Sequence, residues 1–194
     1  TQLPEGAAVV ADDFYEVQAG DAGAPVDALR TDPYRTAQYA LDLLGVDAAQ
    51  AVTRGAGARV AILDSRPEIG HPDLAAVQLA PGASEGPPAR HGTLVAGIVA
   101  ATPDNGLGIA GMAPAATVLA FPVCASARDP AQPDLCRLYG MLVGLDGAWA
   151  QRAQVVNLSL VGPANAALER AVRRLDTLGV GVVAAAGNRA SAGP

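Results

Sequence analysis

The sequence predicts an α/β fold in which a parallel β-sheet carries helices on both faces. Three observations lead there. From residue 58 to residue 187, short apolar runs bounded by turn residues alternate with stretches of helical periodicity, the pattern of successive βαβ units. A chain of 194 residues that is 51% hydrophobic and 16% charged is long enough and apolar enough for one domain with a real core. Aromatic residues make up 4%, so the core must be built from Ala, Val, Leu and Ile, which suits small-residue helices lying close on a sheet.

Residues 1–35 are turn-rich with little periodicity and read as an extended N-terminal arm or the remnant of an upstream segment; residues 36–194 form the domain. "YALDLLGVDAAQAVTRG", from Tyr39, reads as one or two short helices ending near Gly55. "ARVAILD" has the pattern of a buried parallel strand. "HGTLVAGIVAA" follows as a helix with Leu94, Val95, Ile98 and Val99 on one side, while Gly92, Ala96 and Gly97 allow close packing. "TVLAFPV" is the next strand, and "LCRLYGMLVGLDGAWAQR" a helix with Leu138, Met141, Leu142, Leu145 and Trp149 at helical spacing. "QVVNLSLVG" reads as a strand, "ANAALERAVRRLDTLG" as an amphipathic helix and "VGVVAAAG" as a last strand. Right-handed crossovers put the helices on both faces, and ligands of such sheets gather at the carboxyl ends of the strands.

The net charge is −6, and all 13 basic residues are Arg without a basic cluster, which argues against nucleic acid as the main partner. No apolar run approaches the roughly 18 residues that a membrane-spanning helix needs. The chain starts at Thr1 without a signal-peptide pattern, so a processed or trimmed product is expected. Cys124 and Cys136 bracket the Pro- and Asp-rich "ASARDPAQPDL". A bridge between them suits an exported protein (periplasmic, secreted or cell-surface) and would contribute about 3 kcal/mol; the other reading is two unrelated thiols.

Two motifs are decoys. "GLGIAG", Gly106 to Gly111, matches the dinucleotide pattern, but it follows a helix and precedes a strand, the reverse of what pyrophosphate binding requires. "NLS", Asn157 to Ser159, fits a glycosylation sequon inside a predicted buried strand. The two His and two Cys are dispersed, without zinc spacing.

The chemistry lies at the strand ends. Asp64 closes "ARVAILD", His91 opens the following helix, and Asn188 closes the last strand. Each alone has a plain reading: a turn former for Asp64 and Asn188, a helix-start residue for His91. Imidazole is a mediocre helix cap, however, and together the three place a carboxylate, a base and an amide donor along one sheet edge. A carboxylate can hold an imidazole tautomer, the imidazole can move a proton, and an amide N–H can stabilise an oxyanion.

"VAILDSRPEIGHPDL", "HGTLVAGIVAATPDNGLGIAGMAP", "VVNLSLVGP" and "VVAAAGN" resemble, in order, the signatures of the subtilisin-like serine peptidases, over roughly residues 40–188. The resemblance implies a subtilisin-like three-layer fold, incomplete at its C-terminus, with Asp64 and His91 as triad members and Asn188 as the oxyanion donor. It implies that Leu158, Ser159, Leu160, Val161 and Gly162 receive a peptide or protein substrate as an added strand. No cofactor is required for the chemistry, while Asp73 and Asn105 resemble ligands of a structural calcium ion.

Three residues depart from that pattern: Arg66 replaces a usual glycine, Leu94 a frequent histidine, and Val161 a glycine of the substrate strand. A larger departure is that no serine sits in the Gly–Thr–Ser–x–Ala setting of the nucleophile; Ser65, Ser84, Ser126, Ser159 and Ser191 all lack it. Two functions are therefore expected in competition. One is a serine endopeptidase whose nucleophile comes from a C-terminal polypeptide segment beyond residue 194, the chain being inactive by itself. The other is a catalytically inactive peptide-binding module.

Overall fold

The computed structural model describes residues 8–10, 31–83, 86–125 and 135–186. In chain order the elements are β1 (Ala8–Val10), α1 (Tyr39–Leu43), α2 (Val46–Val52), β2 (Arg59–Ser65), β3 (Val77–Leu79), α3 (Arg90–Ala100) and β4 (Thr117–Ala125). They continue with β5 (Leu135–Cys136), α4 (Leu138–Ala150), β6 (Val155–Leu158), α5 (Ala166–Thr177) and β7 (Gly181–Ala185).

Seven strands form one sheet, ordered β1-β7-β6-β2-β4-β3, with β5 added antiparallel on β4 and every other pairing parallel. β2 is central, and its side-chain alternation divides the core. Ala61 and Leu63 face Leu145 and Ala148 of α4 and Leu175 of α5, together with Val156 and Leu158 of β6. Ile62 faces the other way, onto Ala96 and Ala100 of α3, with Val118 and Ala120 of β4 and Leu74 and Val77. Helices thus cover both faces of a parallel sheet, the three-layer α/β arrangement predicted. Fully burying Leu63 and Leu145 stabilises this centre by about 2 kcal/mol each.

The structure corrects several local readings. On α3 the small residues make the contact: Gly92, Ala96, Gly97 and Ala100 are buried, while Leu94 and Ile98 are 52% and 51% exposed. Trp149 of α4 is likewise half-exposed. The strand expected through Gly162 ends at Leu158, because its ladders end there: the last pairs are Ile62↔Asn157 and Leu158↔Ala184. β1, β3 and β5 are too short to show a period. β1 lies on the outer edge of β7.

Candidate active site

β2 carries Asp64 to the carboxyl edge of the sheet. There the β2–β4 register slips: Asp64 pairs with Pro122 and Ser65 with Cys124, which leaves Val123 as an extra residue on β4. Pro122 has no N–H to give a ladder, and such a bulge bends a strand locally. The slip therefore falls beside the candidate carboxylate.

Asp64 is 2% exposed, so its charge persists only if its oxygens are well bonded. Three donors bond them. The Ser65 N–H donates to Oδ1 at 2.7 Å and the Ser65 hydroxyl at 3.1 Å. His91 Nδ1 lies 2.8 Å from Oδ1 and 3.0 Å from Oδ2. An ionised carboxylate can only accept, so the ring proton sits on Nδ1, and a neutral ring then has its lone pair on Nε2. The His91 side chain is 53% exposed, and no described group bonds Nε2.

The aim of that ring is set by how α3 begins. Its N-cap, Ala89, has no side chain to cap with. The cap comes from the sheet instead: Ser65 Oγ accepts the Gly92 N–H at 3.1 Å. The Thr93 hydroxyl donates to the Ala89 carbonyl at 2.7 Å and accepts the Glu68 N–H at 3.0 Å. Gly92 has to be glycine, since a Cβ there would overlap the Ser65 carbonyl oxygen. Ser65 thus joins the carboxylate to the helix that bears the base. Sequence reasoning treated Ser65 as a serine without nucleophile context; its place beside Asp64 was the available signal.

Arg66, at the position of the usual glycine, makes no hydrogen bond to Asp64. Its carbonyl accepts the Ala89 N–H at 2.7 Å, its buried Nε has no partner among the described residues, and β2 runs on through Ser65. Along the candidate substrate segment, Leu158 is buried at the end of β6 and Ser159 and Leu160 are half-buried, with Ser159 Oγ accepting from Asn157 Nδ2 at 2.9 Å. Val161, 80% exposed, and Gly162 stand free of the sheet. Asn188 lies outside the described residues, as does the segment between the cysteines; Cys124 and Cys136 themselves form a disulfide.

The candidate calcium ligands meet at a second place. Asn105 Nδ2 donates to Asp73 Oδ1 at 3.0 Å, and the Ile109 N–H to Asp73 Oδ2 at 3.3 Å. Gly108, at φ +47°, fits because a Cβ would overlap Asp73 Oδ2. A further carboxylate joins them: Asp32, 6% exposed, accepts the N–H groups of Asp104, Asn105 and Gly106 at 2.7, 3.0 and 3.2 Å. Among the described residues neither Asp32 nor Asp73 has a cationic partner. The nearby Arg35 turns to Asp42 and Asp47 at 2.7 and 3.3 Å; burial pulls its pKa down, and those two acids more than offset this and hold it raised. Among the described residues no group of three His, Cys, Asp or Glu side chains is arranged for a metal. The side chains present are two carboxylates and one carboxamide, whose oxygens are hard ligands of the kind Ca²⁺ takes.

The Subtilase family model of peptidases matches residues 55–194. Thermitase of Thermoactinomyces vulgaris is 34% identical over 175 residues, 84% of this chain and 59% of that protein. Subtilisin DY of Bacillus licheniformis is 36% identical over 166 residues, 82% of this chain and 58% of its own length. The chain therefore spans about six-tenths of these curated relatives. Among solved structures, that of the prenylagaramide maturation protease PagA superposes with a TM-score of 0.62 at 26% identity, covering 74% of this chain and 51% of that one. The family match includes both β2, which carries Asp64, and α3, which carries His91, and on this ground the chain belongs to the subtilase family.

Proposed function

We propose that the protein is a serine endopeptidase of the subtilisin type, using Asp64 and His91 from this chain and a nucleophile serine from sequence beyond residue 194. The observation that carries this reading is the bond from His91 Nδ1 to a fully buried carboxylate, with Nε2 unbonded by any described residue on a half-exposed ring. The serine hydroxyl attacks the scissile carbonyl carbon while His91 Nε2 takes its proton. Asp64 stays ionised, fixes the tautomer and stabilises the imidazolium. As the tetrahedral intermediate collapses, Nε2 returns the proton to the leaving amine, and water repeats the sequence on the acyl-enzyme. Asn188 supplies the side-chain N–H for the oxyanion.

The substrate peptide lies along Leu158, Ser159, Leu160, Val161 and Gly162 as an added strand. Residues 159–162 carry no strand pairing, which supports that role. The serine-bearing segment covers α3, where Leu94 and Ile98 stand half-exposed one and two turns on from His91 along the same helix face. The 194-residue chain by itself is then expected to be inactive.

Asp73 and Asn105, with Asp32, would hold a structural Ca²⁺, whose charge would offset two buried carboxylates that have no cationic partner among the described residues. The disulfide supports an exported protein. No helix among the described residues is long and apolar enough to cross a membrane.

Fluorophosphonate labelling of the complete gene product, with intact mass and mapping of the labelled peptide, tests the reading. A label on a serine in a Gly–Thr–Ser–x–Ala peptide is expected. An unlabelled but folded product, binding peptide without cleaving it, would overturn the reading in favour of a binding module.

A further inference from the structure

The Cys124–Cys136 bridge lies beside the Asp64–His91 pair, and nothing in the chemistry above uses it. Cys124 is the residue with which Ser65 pairs once the β2–β4 register has slipped past Asp64. Beyond that slip β4 has two residues left, Cys124 and Ala125, and they hold β5 through a ladder of two pairs, Cys124↔Cys136 and Ala125↔Leu135. So short an antiparallel ladder, with Leu135 exposed, has little packing to keep it closed. The disulfide joins the directly opposed pair and closes it covalently. α4 starts two residues after Cys136, and its Gly140 comes close to the Val123 carbonyl, the residue that the slip leaves over.

Ser65 is where this end of β4 meets the site. Its N–H and hydroxyl hold Asp64 Oδ1, its Oγ accepts the Gly92 N–H of α3, and its carbonyl lies under Gly92. A displacement of Cys124 therefore reaches the carboxylate and the imidazole through a single buried residue.

We propose that the Cys124–Cys136 disulfide is a positioning element for the Asp64–His91 pair, pinning the end of β4 against which Ser65 is registered. The inference deepens the proposed function, but its test reads the Asp64–His91 bond itself. A chain that proved catalytically silent would leave it standing.

The test is the low-field Nδ1 proton of His91, followed by NMR in the chain labelled with ¹⁵N-histidine. Reduction of the wild-type chain under native conditions, and separately the Cys124→Ser/Cys136→Ser variant, should broaden that resonance or shift it upfield, well below the melting temperature. The signals of His71, whose ring Nδ1 accepts the Asp73 N–H, should stay in place. Replacing residues 126–134 by an Asn-Gly turn in the serine variant closes the hairpin without the bridge and should restore the His91 signal. In the complete enzyme the same loss of the bridge should lower kcat about tenfold with KM changed less than twofold. An unchanged His91 resonance in a chain whose bridge is shown to be open overturns the proposal, as does a fall in melting temperature with kcat intact.

Discussion

Asp64 and Asp32 are both buried carboxylates, and each accepts hydrogen bonds from three donor groups. The difference lies in the donors. Asp32 takes three consecutive backbone N–H groups of one loop, donors that have no second role to play. Asp64 takes two from Ser65 and the third from a half-exposed imidazole whose other nitrogen no described residue bonds. A carboxylate satisfied by backbone braces a loop. One that lends a lone pair to an exposed ring sets a tautomer and holds a base. Burial alone does not separate structure from chemistry; the identity and freedom of the third donor does.

The sharpest way to break the comparison is to exchange the carboxylates for amides. Asp64→Asn offers Nδ1 a donor instead of an acceptor, so the serine-labelling rate of the complete product should fall about 10⁴-fold with the fold retained. Asp32→Asn should leave that rate, per folded molecule, within a factor of two. Equal effects at both positions would erase the distinction drawn here.

A second test moves the helix rather than the charge. Gly92→Ala gains helix propensity, but it drives a methyl into the Ser65 carbonyl, a backbone atom that cannot rotate away. A net loss of about 2 kcal/mol in chemical denaturation is expected, together with a slower labelling rate. At the other site, Asp32→Ala leaves three loop N–H groups without their acceptor and should cost about 2 kcal/mol, with no effect on labelling per folded molecule.

Calcium at about a hundredfold over its dissociation constant should raise the melting temperature by about 5 °C or more, reversed by a chelator and abolished in Asp73→Asn. Indifference of the melting temperature to calcium would leave the loop braced by protein groups alone. The smallest effect is expected at Leu94→Ser and Ile98→Ser. Both side chains are half-exposed in the 194-residue chain, so its stability should change by less than about 0.5 kcal/mol.

The central strand and the helix that carries His91 could be read from the sequence, because an apolar run and a helical period mark their own ends; the roles of Asp64 and His91 came from their residue types at one sheet edge and from the family resemblance. The brace at Asp32 could not. Its partners are more than seventy residues away, at Asp104, Asn105 and Gly106, and the segment around it carries no period. The large-residue side of α3 was misread in part for a related reason. Leu94 and Ile98 look like core residues by type, but the spacing between α3 and β2 is set by Gly92 and Ala96, which admit no larger neighbour. β6 was drawn too long because "NLSLVG" keeps strand-like residues past Leu158, and only the ladders of β2 and β7 decide where pairing stops.

The most direct test of the account is the fluorophosphonate labelling rate of the complete gene product against that of its His91→Ala variant. The account predicts a drop of about a thousandfold or more per folded molecule, with the Asp32 loop unaffected. Equal labelling of the two proteins would contradict it, since no imidazole would then be acting as the base.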